Sequence, residues 1–412
     1  MPIDVTIAWR NIWRNPRRSI LTMGAVAFAT LLLVFMLSWQ FGSYATMIDS
    51  SVKIQTGHLQ IQAKGYNEST DIQLVVPNPE EIASLLETIP HIAAYASRAS
   101  AFSLASSNKR TYGAMVVGIQ PGREAGVSTL KSIVREGDFL APDDTDSALI
   151  GSLLAQNLRA GIGDELVLLG QGRDASIAAT VVRIKGIYSS GQDEYDRGVV
   201  HIPLATFQDV YYMRGAVHRM VIVADSLEDV AEVRDAVASS LYTLPGTKDL
   251  VVLDWKALMP GLFQAIQMDL VSGFIFYLIL IVVVAFSIMN TFLMAILERT
   301  REFGVMMAIG TTPRRLTMLL LFESTTIAVI GTLAGVVLGS LLTWYFQVHG
   351  IVISGAAELM SQYGLPERMF PQLSLLSVSI GAGVVLIITL FTALYPALKV
   401  RRLTPLEAMS AT

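Results

Sequence analysis

The chain has 412 residues, of which 52% are hydrophobic and 16% are charged, and its formal net charge is -4. A soluble domain is typically about 25% charged, so this composition indicates a membrane protein. The small negative charge argues against a nucleic-acid binder, and the absence of cysteine excludes disulfides, thiolate metal sites and a cysteine nucleophile.

The chain begins with a segment that is predicted to be an amphipathic helix on the membrane surface. Val5, Trp9, Ile12 and Trp13 share one helical face, and arginines occupy the other. A basic start before an apolar run is also typical of a signal peptide. Because the apolar run is about twice the length of a signal h-region, we expect an uncleaved anchor.

Four long charge-free runs follow, with lengths of 30, 28, 25 and 30 residues. Each exceeds the roughly 20 residues that cross a hydrocarbon core, so the fold class is an α-helical membrane protein with four transmembrane helices. The predicted segments are an amphipathic helix at 1–18, transmembrane helices at 19–48, 270–297, 316–348 and 373–398, a large domain at 49–269, a hairpin at 298–315, a loop at 349–372 and a tail at 399–412.

Short flanking segments predict the orientation. The segments before the first helix, between the second and third, and after the fourth carry four, four and three basic residues, whereas the loop between the third and fourth carries only Arg368. By the positive-inside rule the three basic segments and both termini are cytoplasmic. The domain at 49–269, with 27 acidic and 18 basic residues, is then extracytoplasmic.

This domain is predicted to be mixed α/β. The pattern predicts strands at 52–62, 165–170, 177–188 and 218–224, helices at 77–90, 147–158 and 226–241, and a strand leading into a helix at 199–213. The strands at 165–170 and 177–188 form a hairpin that turns at Gly170–Asp174. At about 220 residues the domain can bury its own core, as one body or as two subdomains.

Motifs of enzyme chemistry are missing from the sequence. The five histidines show no HExxH pattern or metal-ligand spacing, and there is no GxSxG elbow or GxxxxGK[ST] phosphate loop. The carboxylates Asp193, Glu194 and Asp196 are most simply a solvated turn. We therefore predict neither an enzyme nor a metal or cofactor site in this chain.

The cytoplasmic hairpin is the most unusual short segment. Arg301 to Ile309 can form a helix on which Phe303, Met306 and Met307 cluster, with Gly310 after its end and Thr312-Pro313 starting the next helix. Its apolar face suits docking in a groove of another protein, since methionine is adaptable at such contacts. A helix lying on the bilayer surface is the alternative.

Two features of the third transmembrane helix predict packing contacts. Gly331, Gly335 and Gly339 lie on one face and allow a neighbouring helix to approach closely, within the bundle or at a dimer seam. Glu323 lies near the cytoplasmic interface, where a carboxylate needs a partner. We expect a structural partner such as an arginine of the N-terminal segment, and a role in proton transfer is the alternative.

Several blocks together resemble the ABC-transporter permeases of the superfamily that includes LolC/LolE, MacB and FtsX. The blocks are IAWRNIWRNPRRSILT, GSLLAQNLRAGIGDELVLL, GIYSSGQDEYDRGVVHIPL, ERTREFGVMMAIGTTPRRLTMLLLFES and YPALKVRRLTPLEAM. The fourth block is the most specific, and their order spans essentially the whole chain. Because this sequence lacks an ATPase segment, it is most similar to the lipoprotein-releasing permeases, which need a separate ATPase.

The resemblance implies a role for the hairpin as the coupling helix that inserts into a cytoplasmic ATPase. The matching residues are Glu298, Arg299, Arg301, Glu302, Phe303, Gly304, Met306, Met307 and Gly310. The implied assembly has two ATPase subunits, which bind ATP and Mg²⁺, and a second permease protomer of the same or another kind. It implies a bacterial inner-membrane protein that transmits movement to its periplasmic domain.

The resemblance leaves the cargo open. Lipoprotein or another amphipathic envelope substrate is the first reading; export of a hydrophobic drug or peptide, and FtsX-like regulation of a periplasmic partner such as a cell-wall hydrolase, are the alternatives. The hairpin at Gly170–Asp174 is shorter than the hook with which LolC-type permeases recruit a carrier. A group of aromatic and methionine side chains is predicted to line an acyl-chain pocket, and ordinary helix packing with an interfacial belt is the alternative. Its members are Phe35, Met36, Trp39, Phe41, Tyr44, Met47, Phe263, Met268, Phe274 and Phe276.

Overall fold

The computed structural model describes residues 9–10, 12–14, 16–352 and 368–400. Val5 of the predicted amphipathic helix, most of the loop at 349–372 and nearly all of the tail at 399–412 lie outside these residues. The chain divides into two compact units. The helical unit comprises residues 1–44, 266–352 and 368–412, and the strand unit comprises residues 45–265 and 353–367.

Within the described residues, four helices are long and apolar enough to cross a membrane. They are α1 (Pro16–Ser51), α10 (Pro260–Glu298), α12 (Pro313–His349) and α13 (Leu375–Val400). Helix α10 begins ten residues before its predicted apolar segment, because a charged residue such as Asp269 ends an apolar run without ending a helix. Helices α1 and α12 extend past theirs by at most three residues at either end. Proline, which is favoured in the first helical turn, is the first residue of α1, α10 and α12.

A shared apolar core joins three of these helices. Val26, Leu33, Ile288, Phe292 and Val385 are buried together, and they come from α1, α10 and α13. A buried hydrogen bond of 2.9 Å between the Oγ atoms of Ser38 and Ser377 also links α1 to α13. Helices α1, α10 and α13 therefore form a bundle, and α12 packs along α1 in the same bundle.

The N-terminal segment is helical at residues 9–10 and 12–14. Ile12 is fully buried, whereas Trp9 and Trp13 are exposed and meet edge to face with ring centroids 6.1 Å apart. The hydroxyl of Ser19 donates to the carbonyl of Ile12 at 2.7 Å. Of the predicted apolar face, Ile12 therefore faces the bundle, and the two tryptophans remain available to an interface.

In the part of the strand unit that the structure describes, ten strands form one sheet. They are β1 (Leu59–Ala63), β2 (Ile92–Ser107), β3 (Arg110–Ile119), β4 (Val134–Gly137), β5 (Ser147–Gly151), β6 (Glu165–Gln171), β7 (Ile177–Tyr188), β8 (Val199–Pro203), β9 (Arg219–Ala224) and β10 (Leu250–Asp254). The helices are α2 (Tyr66–Ser69), α3 (Pro79–Leu86), α4 (Pro121–Val127), α5 (Ser152–Leu158), α6 (Asp193–Gly198), α7 (Leu204–Val210), α8 (Val230–Leu241) and α9 (Trp255–Leu258).

The strand pairing closes part of this sheet on itself. The path β2–β3–β8–β5–β7–β6 returns to β2, because β6 pairs with both β7 and β2. Val117, Ile119, Leu149, Tyr188 and Val199 belong to one buried apolar cluster contributed by strands of this ring. At the other end of the sheet β1 and β10 pair antiparallel, so the chain enters and leaves the sheet on neighbouring strands.

Several sequence predictions for this unit are confirmed and others are wrong. The β6–β7 hairpin, the passage from β8 into α7, strand β9 and helices α3 and α8 are confirmed. The strand predicted at 52–62 is wrong in its first half, which is a π-helical turn (Val52–Thr56) that ends at Gly57 with φ +69°. The helix predicted at 147–158 is wrong in its first half, which is strand β5. Because β5 is buried on both faces, it lacks the alternation that reveals a half-exposed strand.

Candidate functional site

The hairpin between α10 and α12 is built from a short helix, α11 (Thr300–Ala308), one residue earlier at each end than predicted. Gly310 follows it with φ +104°, in the left-handed region that favours glycine. Thr312 is extended and Pro313 starts α12, as predicted, but the Thr312 side chain makes no capping hydrogen bond. The end of α11 and the start of α12 therefore follow local signals in the sequence.

Most of the apolar face predicted for docking packs against the helices of its own chain. Phe303 is fully buried and Met307 is buried, in a cluster with Leu316 and Leu320 of α12 and Ala397 of α13. Gly304 is also buried, and Met306 is half-buried against the same cluster. The prediction that Phe303, Met306 and Met307 present the docking face is thus corrected, because these side chains attach α11 to the bundle of its own chain.

The outward face of α11 carries a different pair of apolar residues. Val305 is 51% exposed and Ile309, one turn further on, is 79% exposed, with Arg301 and Ala308 also exposed. Residues four apart share a helix face, so Val305–Ile309 and Phe303–Met307 are two separate apolar pairs on different faces. The sequence signals both pairs, and only tertiary packing decides which one is buried.

A charge-balanced ion-pair cluster joins the hairpin to the N-terminal segment and to α12. Arg299 Nη1 donates to Glu323 Oε2 at 3.2 Å, and its Nε lies 3.4 Å from Glu302 Oε2. Arg18 lies 3.6 Å from both Glu323 and Glu298. Arg14, from the N-terminal segment, also pairs with Glu302. Three arginines and three glutamates thus link three parts of the chain.

Burial differs strongly across this cluster. The side chains of Glu323 and Arg299 are 7% and 9% exposed, whereas those of Arg14 and Glu298 are mostly exposed. Exposed pairs contribute about 0–1 kcal/mol, whereas removing one partner of a buried pair typically costs about 3–5 kcal/mol. The Glu323–Arg299 contact is therefore the energetic centre. The arginine expected for Glu323 is present as Arg18, and the second partner, Arg299, was not predicted.

The glycine face of α12 lies against α1 of the same chain. A Cβ atom at Gly331 would lie 2.8 Å from Val26 Cβ, and one at Gly335 would lie 2.4 Å from the Ala27 carbonyl oxygen. At Gly339 it would lie 3.1 Å from Leu31 Cα. Such spacing leaves no room for a side chain at Gly335, so the two backbones approach closely there.

The residues proposed for an acyl-chain pocket are divided between the two units. In the helical unit Phe35 stacks edge to face on Phe346 at 5.9 Å, while Trp39, Phe41 and Tyr44 are half-buried. Met36, Met268, Phe274 and Phe276 are exposed on their helices. In the strand unit Met47 is half-buried, and half-buried Phe263 contacts Trp255 edge to face at 6.1 Å.

The titratable groups of the strand unit are structural in their geometry. Burial lowers the pKa of His201 to about 3 and that of His218 to about 4, so both imidazoles are neutral at pH 7. Asp193 and Glu194 are exposed, but Asp196 is buried and accepts hydrogen bonds from the backbone NH and the hydroxyl of Ser190. The solvated-turn interpretation is therefore wrong for Asp196. Within the described residues no group of acidic residues, histidines or cysteines could ligate a metal.

Comparisons with known proteins cover almost the whole chain. Residues 19–240 match the MacB-like periplasmic core domain, and residues 274–405 match the FtsX-like permease C-terminal domain. The chain is 24% identical to the lipoprotein-releasing system transmembrane protein LolC of Xylella fastidiosa, over 99% of this chain and 98% of that protein. It is 22% identical to LolE of Haemophilus influenzae, covering 81% and 80% of the two chains.

A longer relative differs in domain content. The chain is 27% identical to the macrolide export ATP-binding/permease protein MacB of Rhodospirillum rubrum, over 98% of this chain but only 60% of that protein. The name of that protein includes ATP binding, whereas this sequence contains no GxxxxGK[ST] phosphate loop. In length and coverage the chain corresponds to LolC more closely than to MacB.

Proposed function

The chain belongs to the FtsX-like permeases with a MacB-like periplasmic core domain, the superfamily of LolC, LolE and MacB, and we propose that it extracts or releases lipoproteins, or a similar amphipathic envelope substrate, driven by a separate ATPase. The full-length similarity to LolC supports the cargo class. As an ABC-transporter permease without a phosphate loop, the chain depends on its partner for ATP and Mg²⁺.

One observation carries the coupling part of this proposal. Helix α11 exposes Val305 and Ile309 while Phe303, Met307 and the Arg299–Glu323 pair attach it to the bundle. An apolar surface on a firmly attached short helix can bind a groove of an ATPase and pass its displacement to the bundle. Each of two ATPase subunits would bind one permease protomer.

The proposed orientation places α11 in the cytoplasm and the strand unit in the periplasm of a cell with an inner membrane, with both termini cytoplasmic. The excess of arginine and lysine beside the hairpin and the termini supports it. The chain lacks cysteine, so single cysteines report topology without background. Ile177 and Ile309 form a matched pair, with exposures of 78% and 79%.

We expect Ile177→Cys to react with an impermeant maleimide added outside the inner membrane, and Ile309→Cys to react only after the membrane is permeabilised. Both side chains are equally accessible in the chain alone. In membranes from which the partner ATPase has been removed, nothing covers Ile309, so the difference reports only the side of the membrane. Gly172 in the β6–β7 turn is a poor labelling position because it is buried. Labelling in the opposite sense would overturn both the orientation and the cytoplasmic docking.

The coupling proposal is tested on the outward face of α11. We expect Val305→Asp and Ile309→Asp to weaken ATPase co-purification, or to leave a bound ATPase unstimulated, because burying an unpaired carboxylate in an apolar groove costs several kcal/mol. Arg314→Ala, an exposed position outside this face, should change binding by less than about 1 kcal/mol. Wild-type ATPase binding and stimulation in both aspartate variants would exclude the hairpin as the coupling site.

The cargo is tested by reconstitution with the partner ATPase in proteoliposomes. ATP-dependent release of a lipoprotein is the expected result. Transport of a hydrophobic drug or peptide without lipoprotein release would favour the MacB-like alternative, and specific capture of a cell-wall hydrolase without any transport would favour the FtsX-like one. The β6–β7 turn spans only residues 172–176, so recruitment of a carrier through a hook is not part of the proposal.

A further inference from the structure

Helix α10 is the least covered of the four apolar helices. In its most apolar window of 18 residues only 6% are buried, against 22–39% in the other three. A stripe of exposed side chains follows the helix at intervals of three or four residues. Its members are Val271, Ile275, Ile279, Val283, Phe286, Asn290, Met294 and Leu297.

Asn290 is the one strongly polar member of this stripe. It lies eight residues before the end of α10 at Glu298, which is about 12 Å along the helix and within the hydrocarbon if α10 spans the membrane. Its side chain is exposed and makes no hydrogen bond to any described part of the chain. A carboxamide without a partner in hydrocarbon costs several kcal/mol, so another molecule must satisfy it.

Asn290 lies in a surface depression that can accommodate a neighbouring helix. Asn290, Ser287 and Phe286 of α10, together with Tyr395 of α13, line an open depression of about 450 Å³ on the surface of these two helices. Polar groups and an aromatic ring thus lie together on an otherwise apolar surface. Lipid chains could fill the volume but offer no hydrogen bond at this depth.

We propose that this depression is occupied by α10 of a second copy of the chain, with the two Asn290 side chains hydrogen-bonded to each other. A carboxamide is both donor and acceptor, so two copies related by a two-fold axis satisfy each other with one residue type. The stripe is uncharged from Val271 to Leu297, so two copies meet without repulsion. The proposal rests on the membrane placement of α10 in the proposed function and names the contact between its two permease protomers.

The test is disulfide trapping in native membranes with single cysteines in the full chain. Met294→Cys reports the stripe, and Met318→Cys on α12 is its control. The two methionines are 57% and 52% exposed and lie four and five residues from the helix ends that flank the hairpin. We expect rapid formation of a disulfide-linked dimer by Met294→Cys under mild oxidation, and a rate at least several-fold lower for Met318→Cys.

Asn290 is then tested in the Met294→Cys chain. Asn290→Leu is similar in size and more apolar, so insertion should be unaffected, but the rate of cross-linking should fall roughly three- to tenfold with the loss of the interhelical hydrogen bond. Asn290→Gln keeps donor and acceptor and should retain most of the rate. The amount of chain in the membrane is measured for each variant.

The proposal would be overturned by cross-linking of Met318→Cys as fast as that of Met294→Cys, by an unchanged rate in Asn290→Leu, or by a cross-linked product that contains a different protein. Absence of any dimer from Met294→Cys would also overturn it. Cysteine labelling of Ile177 and Ile309 is independent of this contact, so a failure of the membrane orientation is distinguished from a failure of the α10 interface.

Discussion

Glu323 is the residue on which most of the hairpin's electrostatics depend. Its carboxylate contacts both Arg299, 3.2 Å away, and Arg18, 3.6 Å away, and it is almost completely buried. The sequence draws attention to it because a lone carboxylate beside an apolar run must be compensated. Arg18 could be anticipated from the N-terminal arginines. Arg299 could not, because its direction depends on the break between α10 and α11.

We expect Glu323→Ala to destabilise the chain by about 3–5 kcal/mol, because it leaves Arg299 buried without its main partner. Arg14→Ala removes an exposed pair and should cost about 0–1 kcal/mol. Thermal unfolding in nanodiscs compares the two variants with wild type. If both variants unfold like wild type, the cluster does not stabilise the hairpin.

The two buried histidines predict how stability depends on pH. Burial lowers the pKa of His201 and His218 below the unfolded value of about 6.5, so the unfolded chain binds more protons once the pH falls below that value. Stability is complete above about pH 6.5 and is lost progressively as the pH falls towards the folded values of about 3 and 4. At pH 5 each histidine should cost about 2 kcal/mol.

Replacing one of them should flatten this dependence. His201→Gln removes a titrating group and can keep a hydrogen bond to the Tyr195 hydroxyl, which lies 2.9 Å from His201 Nε2. Hydrogen exchange of β8 in the full chain at pH 7.5 and pH 5 measures the effect. The protection lost between these values should be smaller in His201→Gln than in wild type. An equal loss would show that His201 does not cause the acid sensitivity.

The packing of helix α12 against α1 depends on the positions of its glycines. We expect Gly335→Ala to cost about 1–3 kcal/mol, because the added Cβ would lie 2.4 Å from the Ala27 carbonyl oxygen and 2.5 Å from Thr30 Cβ, and the helix backbone would have to shift. Gly383→Ala in α13 is the matched control. Nothing lies within 4 Å of a Cβ there, so the change should be neutral or stabilising. Heat inactivation of the two variants in nanodiscs tests this contrast, and equal tolerance would contradict the close approach of α1 and α12.

Elements with a strong local signature were predictable from the sequence. The four apolar helices, the β6–β7 hairpin and the glycine that ends α11 follow from hydropathy, alternation and turn residues. Strand β5 was hidden because burial on both faces removes alternation, and the long pair β2–β3 was not predicted at all. The prediction of which face of α11 is exposed was wrong, because the pairs Phe303–Met307 and Val305–Ile309 have the same spacing in the sequence. Only the contacts of the first pair with Leu316, Leu320 and Ala397 distinguish them.

The first and last strands of the strand unit, β1 and β10, are neighbours in its sheet. β1 and β10 pair from Leu59 with Asp254 to Ala63 with Leu250, and the Trp255 amide donates to the His58 carbonyl at 3.0 Å. The two points at which the chain enters and leaves the sheet are therefore neighbours, about 5 Å apart as paired strands are. A short flexible linker between Gly57 and Trp255 can span this distance, so the unit can be removed with little demand on the remaining chain.

We expect a variant with residues 58–254 replaced by such a linker to insert into the membrane and still bind the ATPase, because α11, its attachment through Phe303 and the Arg299–Glu323 pair all lie in the helical unit. Substrate release should be lost, since the family resemblance implies that ATP-driven movement is transmitted to this domain outside the cytoplasm. ATPase co-purification and ATP-dependent lipoprotein release from proteoliposomes, measured on the same preparations, separate the two steps. Release at the wild-type rate by the shortened chain would show that the strand unit does not act on the cargo, and loss of ATPase binding would show that the helical unit alone does not form the coupling site.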